Sequence, residues 1–168
     1  IAAASQEDAV VPAALVAPLR DYQEAGFRWL ARLASWDAGA CLADDMGLGK
    51  TVQALALLLH RAALGPALVV APTSVGPGWM SEAARFAPTL RTISYRGPDR
   101  AGMLAGLGPG DLVVTSYDVA ARRDPELAGA HFATLVLDEA QMLKNAATRR
   151  VRAIREIDAD LRLALTGT

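Results

Sequence analysis

Five short apolar runs punctuate the chain, at 40–43, 67–71, 111–115, 134–137 and 161–165, with a weaker one at 92–95, and several of the segments between them carry a helical period. Nothing else in the sequence restricts the fold as much. Short apolar runs bounded by turn residues read as strands. Strands that alternate with helices are joined by crossovers rather than hairpins, which makes a parallel sheet covered on both faces. Leu68-Val69-Val70 and Leu135-Val136-Leu137 are apolar without alternation, the pattern of strands buried on both sides. The helical pattern is clearest at 51–64 and at 148–157, where Val151, Ile154 and Ile157 mark one face. Upstream, Leu19, Tyr22, Gly26, Trp29, Leu30 and Leu33 recur at helical spacing with Arg20, Glu24, Arg28 and Arg32 mostly opposite, which predicts an amphipathic helix ending near 36–39. The expected class is α/β, a three-layer sandwich with a mostly parallel sheet.

A length of 168 residues, 52% of them apolar, supports one domain with a real core and is too short for two. Residues 1–18 are rich in Ala, Val and Pro without either period, so they read as a linker or an incomplete upstream element, and 19–168 as the domain. The chain opens on Ile1 without Met and stops at Thr168 straight after an apolar run, which reads as a piece of a longer protein. Cys41 is the single cysteine, so no disulfide framework or cysteine-based metal site can form within the chain. His60-Arg61 interrupts the longest apolar stretch and there is no basic start before an apolar core, so the expectation is a soluble, cytoplasmic protein without a membrane segment.

A net charge of −1 does not by itself advertise a nucleic-acid binder. The cations are lopsided: Lys50 and Lys144 are the only lysines and every other one is Arg. Arg-rich, Ala-rich usage suggests GC-rich codons and a bacterial source. Where Arg is the habit, a retained Lys asks for a reason. A compact ammonium on a flexible stem is not replaceable by a planar guanidinium in a tight phosphate cradle.

Lys50 sits in such a context. Gly47-Leu48-Gly49-Lys50-Thr51 follows the first predicted strand and leads into a predicted helix, the order that a phosphate cradle needs. Gly47 and Gly49 let backbone N–H groups approach an anion, Lys50 reaches terminal phosphates, and the Thr51 hydroxyl suits Mg²⁺. The strict pattern G-x-x-x-x-G-K-[ST] fails because Asp44 stands where its first Gly belongs, which tells against small nucleotide kinases and for a helicase-like variant. A glycine-rich turn that merely caps a helix is the bland rival. The second constellation is Leu135-Val136-Leu137-Asp138-Glu139-Ala140-Gln141, a buried strand delivering two carboxylates at its carboxyl end, where open α/β sheets bind ligands. Asp138 would hold Mg²⁺ directly or through water, and Glu139 would orient and deprotonate the attacking water. Alone, such a pair is more often a solvated strand end; with the loop at Lys50 it becomes half of a site.

From 19 to 168 the sequence resembles the first RecA-like lobe of the Swi/Snf family of helicase superfamily 2, a P-loop NTPase fold. The family's adenine-recognition element resembles Leu19-Arg20-Asp21-Tyr22-Gln23, which implies that Gln23 reads adenine. Its phosphate loop resembles Asp44-Asp45-Met46-Gly47-Leu48-Gly49-Lys50-Thr51, including the Asp in place of Gly. Ala71-Pro72-Thr73-Ser74 and then Trp79 resemble its first DNA-contact segment, and Thr115-Ser116-Tyr117-Asp118 the next. Leu137-Asp138-Glu139-Ala140-Gln141 running on to Lys144-Asn145 resembles the hydrolysis signature, and Leu165-Thr166-Gly167-Thr168 the element that couples hydrolysis to movement, with Gln141.

Each role has an ordinary alternative. Gln23 on an exposed turn would be a solvated polar residue, and Thr73 and Ser74 would cap the helix that follows. Trp79 reads as core packing rather than a base stacker, Lys144 as either a carboxylate partner or a DNA contact, and Arg149, Arg150 and Arg152 as a solvated helix face. The resemblance implies ATP with Mg²⁺ as cofactors. It implies double-stranded DNA, read through its phosphates and shape, a second RecA-like lobe that supplies arginines to the γ-phosphate, and DNA-bound proteins as the cargo of a bacterial, nucleoid-associated motor. The alternatives are a strand-separating helicase of the same superfamily, against which Asp-Glu-Ala-Gln and Lys144-Asn145 speak, and a degenerate nucleotide-binding interaction module.

Overall fold

In the computed structural model, which describes residues 8–43, 49–144 and 148–167, each apolar run is a strand. In chain order they are β1 (Ala40–Leu42), β2 (Ala67–Ala71), β3 (Arg91–Ser94), β4 (Asp111–Ser116), β5 (His131–Leu137) and β6 (Asp158–Leu165). They form a single six-stranded sheet in the order β1-β6-β5-β2-β4-β3, and every pairing among the described residues is parallel. The expectation of a mostly parallel sheet is met in full.

Period-two alternation within the central strands divides the core into two layers. Val69, Leu112, Val114, Val136, Leu161, Leu163 and Leu165 face one cluster, while Leu68, Val70, Val113, Phe132 and Leu135 face the other. The first layer is covered by α1 (Asp21–Ser35), α2 (Lys50–His60) and α3 (Gly76–Phe86), through Phe27, Leu30, Leu55, Leu58, Trp79 and Ala83. The second is covered by α4 (Tyr117–Ala121), α5 (Pro125–Gly129) and α6 (Arg149–Arg155), through Tyr117, Val119, Leu127 and Ile154. Helix, sheet and helix make the three layers that the sequence predicts. No helix among the described residues is long and apolar enough to cross a membrane.

Differences from the sequence reading have local causes. The buried stripe of α1 is Phe27, Leu30, Ala31 and Ala34, whereas Tyr22 and Trp29 of the predicted face are exposed. The small residues set this rotation, because a Cβ at Gly26 would collide with Gln53 Oε1 on α2, so the two helices approach closely there. α2 stops at His60 rather than running to 64: the Arg61 side chain turns inward to donate to Thr134 Oγ1 (2.9 Å) and to the Ala133 carbonyl (3.1 Å), and a short 3₁₀ turn at Ala62–Leu64 follows. β6 begins at Asp158, three residues before its apolar run, because its first half alternates outward-facing acids. Within 1–18, the described part is docked at its end: Leu15 is buried and the Val16 N–H donates to the Phe86 carbonyl (2.8 Å).

Candidate active site

Parallel pairing brings the strand ends to one edge. Leu42 lies opposite Leu165, Leu137 opposite Ala164, and Ala71 opposite Ser116. The ladder runs one residue further where the Asp138 N–H donates to the Val70 carbonyl (2.9 Å) and the Thr166 N–H to the Leu42 carbonyl (3.1 Å). The carboxyl ends of β1, β2, β4, β5 and β6 therefore lie on the same edge, where doubly wound sheets bind ligands.

A cleft of about 590 Å³ lies at that edge, large enough for a nucleotide. Gln23, Gly49, Lys50 and Thr51 line one side and Asp138 and Glu139 the other. The structure thus brings together six of the residues singled out for ATP and metal; Asp45, Met46, Gly47 and Leu48 lie outside the described residues. Gly49 is left-handed (φ 72°), the N-cap of α2. A Cβ there would collide with Gln23 Nε2, so the proposed adenine reader is packed directly against the base of the phosphate loop. Gln23 Oε1 accepts from the Arg20 N–H (2.9 Å), which fixes the start of α1 and the carboxamide together.

The carboxylates are held from several directions. Asp138 Oδ2 accepts from Trp79 Nε1 (2.8 Å), Oδ1 accepts from the Glu139 N–H (2.8 Å), and the Asp138 carbonyl accepts from the Tyr117 hydroxyl (2.7 Å). Burial first, and then the Asp138 charge, push the Tyr117 hydroxyl well above its ordinary range, so it remains a donor. Glu139 occupies left-handed backbone (φ 51°), a strained conformation for a residue with a side chain. Its carboxylate accepts from Gln141 Nε2, and Gln141 Oε1 accepts from Thr166 Oγ1 (3.0 Å). Glu139, Gln141 and Thr166 thus form one hydrogen-bonded chain from β5 to the end of β6. Gly167 follows on the same edge, and Thr168 lies outside the described residues.

Mg²⁺ fits this donor set. It is held by one or two carboxylates and by phosphate oxygens rather than by an all-protein cage. Thr51 and Asp138 offer hard oxygens across the cleft, and no group of three or more His, Cys, Asp or Glu suited to a metal occurs among the described residues. The left-handed Gly49 at the head of an 11-residue helix is what an anion-binding turn requires.

Beyond this cleft, Pro72, Thr73, Thr115 and Ser116 line a second one of about 260 Å³, with Arg96 and Arg122 on its walls. Ser74 is exposed beside it and does not line it. The N-cap of α3 is Val75 and no side chain caps the helix, so Thr73 and Ser74 are not its caps. The Thr115 hydroxyl donates to the Tyr95 carbonyl (2.8 Å), and Ser116 Oγ caps α4 at the Val119 N–H (3.2 Å). Arg150 is not a purely solvated residue: it lies over the Tyr117 ring (5.8 Å) and within 3.4 Å of Asp118. Lys144 is exposed.

Residues 22–168 match the SNF2-related domain family. The chain belongs to that family. It is 43% identical over 157 residues to a Bacillus subtilis protein named as an ATP-dependent helicase/translocase, YwqA, and 39% identical over 167 residues to the ISWI chromatin-remodeling complex ATPase CHR17 of Arabidopsis thaliana. These alignments cover 89% and 94% of this chain but 17% and 16% of those proteins, so the chain spans under a fifth of their length. The Sulfolobus solfataricus SWI2/SNF2 ATPase core in complex with dsDNA superposes with a TM-score of 0.87 at 39% identity, over 95% of this chain and 34% of that one. The fold is therefore that of one part of an SNF2 core.

Val52 escaped the sequence reading, and so did three further lining residues, Val75, Glu82 and Phe86. With Trp79 they recur at 75, 79, 82 and 86, a helical stripe that aims one face of α3 at the cleft. That periodicity was the available signal. Ala17 and Pro18, in the stretch read as a linker, also line the cleft, and no sequence feature marked them.

Proposed function

We propose that the chain is the ATP-binding lobe of a double-stranded-DNA-dependent ATPase and translocase of the SNF2 kind, which shifts or strips proteins bound to DNA. The observation that carries the reading is the convergence of Gly49, Lys50 and Thr51 with Asp138 and Glu139 across one cleft at the carboxyl edge of the sheet. Lys50 reaches the terminal phosphates, Thr51 and Asp138 hold Mg²⁺, Glu139 orients and deprotonates the attacking water, and Gln23 reads the adenine. Bound Mg²⁺ supplies charge neutralisation on the phosphate oxygens. Gln141, Thr166 and Gly167 carry the response to hydrolysis, which the bonded chain from Glu139 to Thr166 supports.

Pro72, Thr73, Ser74, Thr115 and Ser116 belong to the DNA-contacting edge, and Arg96 and Arg122, against the single acid Asp118 in the same lining, give a lobe of net charge −1 a local excess of positive charge there. No arginine is among the described residues that line the nucleotide cleft. The stabilising guanidinium for the γ-phosphate then comes from a second RecA-like lobe, and these residues alone hold ATP but turn over little of it. A bacterial cytoplasm, at the nucleoid, is the setting in which such a motor works.

The test is translocation without unwinding by the full-length protein. With ATP it should displace a triplex-forming third strand from duplex DNA while leaving a tailed duplex unseparated. Separation of the duplex strands at a comparable rate would make it a strand-separating helicase instead.

A further inference from the structure

Trp79 and Tyr117 approach the same residue from two different helices. Trp79 lies on α3, which follows the loop after β2 that carries Pro72, Thr73 and Ser74. Tyr117 opens α4 immediately after Thr115 and Ser116 on β4. Both side chains are 2% exposed, yet each spends its one polar hydrogen on Asp138: the indole N–H on the carboxylate (2.8 Å) and the phenol O–H on the main-chain carbonyl (2.7 Å). A buried indole or phenol needs a partner, but packing alone does not dictate that two such partners be one residue at the end of a third strand. The carboxylate oxygen that Trp79 engages loses one of its orientations and keeps a lone pair for a cation.

We infer that Trp79 and Tyr117 are positioning residues that clamp Asp138 by its side chain and its main chain, so that the two loops assigned to the DNA backbone and the carboxylate assigned to the nucleotide's metal are set by one another. The inference rests on the proposed function. Pressure of a duplex on the loop after β2 or on the end of β4 displaces α3 or α4, and either helix carries its donor, and hence Asp138, with it. Glu139, bonded through its own N–H to Asp138 Oδ1, moves in the same unit. With the duplex-bound arrangement the one in which Asp138 best meets the metal, DNA and Mg²⁺-nucleotide raise each other's affinity by the same factor, the equality that thermodynamic linkage requires.

Tyr117→Phe removes only the hydroxyl. Replacing Trp79 with its benzothiophene analogue keeps the ring shape and removes the N–H donor. In the full-length protein, the Trp79 change should raise the Mg²⁺ concentration needed for half-maximal ATP binding by roughly tenfold, the size of one charge-assisted hydrogen bond, and Tyr117→Phe by about threefold, because its bond is to a neutral carbonyl. ATP binding in EDTA and duplex affinity without nucleotide should stay native, while the gain in ATP affinity on adding duplex should shrink. Native Mg²⁺ dependence and native duplex coupling in both proteins would overturn the inference, and so would an equal loss of ATP affinity with and without Mg²⁺, which marks a merely structural role. If the unaltered protein bound neither Mg²⁺-ATP nor duplex, the proposed function itself would fall, and that outcome is read before any variant is made.

Discussion

Gly49 carries two constraints at once. Its backbone is left-handed, which costs a residue with a Cβ about 1–2 kcal/mol, and the space a Cβ would occupy is taken by Gln23 Nε2. Gly49→Ala should therefore lower stability by about 1–2 kcal/mol in urea unfolding, and should also displace Gln23 from the cleft it lines. Lys50→Ala leaves the backbone alone and removes the side chain beyond Cβ, its ammonium included. Both should weaken ATP binding by at least roughly tenfold, about 1.4 kcal/mol, but only Gly49→Ala should shift the unfolding midpoint markedly. A calorimetric titration of Lys50→Ala that matches the native protein would remove Lys50 from the phosphate site. The sequence marked both residues because cradle chemistry allows few alternatives at those positions. It did not mark Trp79 as a partner of Asp138: the two stand 59 positions apart, and a tryptophan bound for the core looks the same whichever acceptor its N–H will meet.

The strands are tied at their far ends by ion pairs with opposite pH behaviour. On the β3–β4 edge, Arg91 makes a two-pronged bridge to Asp111 (2.8 and 2.9 Å), and the Gly108 N–H adds a third bond (2.9 Å). The hydrogen bonds from Arg91, above all, hold the Asp111 carboxyl below its ordinary value of 3.8. A group whose folded pKa is depressed contributes stability above its unfolded value and loses it as pH falls through the folded one. On the other half of the sheet, His131 at the start of β5 lies between Asp158 (2.8 Å) and Asp160 (3.1 Å) of β6, whose carboxylates raise its pKa from 6.5, the bond to Asp158 most of all. That contribution is complete below 6.5 and fades as pH rises through the raised value. The stability difference between native protein and Asp111→Asn should thus shrink in acid, and that between native protein and His131→Gln should shrink, from a smaller start, in alkali. Urea midpoints measured across pH read both, and parallel trends would refute the assignment. Element types were legible because short unbroken apolar runs and helix-period segments take turns along most of the chain. The face of α1 was not, since Tyr22 and Trp29 look apolar in sequence while Gly26, Ala31 and Ala34 decide how near α2 can come. The first half of β6 was hidden by Asp158 and Asp160, which a strand at the sheet's amino edge can leave in water.

The molecule as a whole is a parallel sheet that collects five strand ends on one edge and offers two neighbouring clefts there, one lined by the residues proposed for the nucleotide and one by those proposed for DNA. That arrangement follows from the beat of strands and helices, so the placement of the site was legible as soon as the fold was. What no sequence pattern showed is that Trp79 and Tyr117, on the helices that follow Pro72-Thr73 and Thr115-Ser116, both bond Asp138 at the first cleft. A lobe built this way should respond to DNA at its nucleotide cleft and should lack the arginine that completes phosphoryl transfer. The decisive measurement is steady-state ATP hydrolysis by the full-length protein with and without duplex DNA, beside Glu139→Gln and beside these 168 residues alone. Duplex should strongly stimulate the native protein and should not stimulate Glu139→Gln, although that variant still binds ATP, and the lobe should show almost no turnover. Hydrolysis indifferent to duplex, or surviving in Glu139→Gln or in the lobe by itself, would contradict the proposed function.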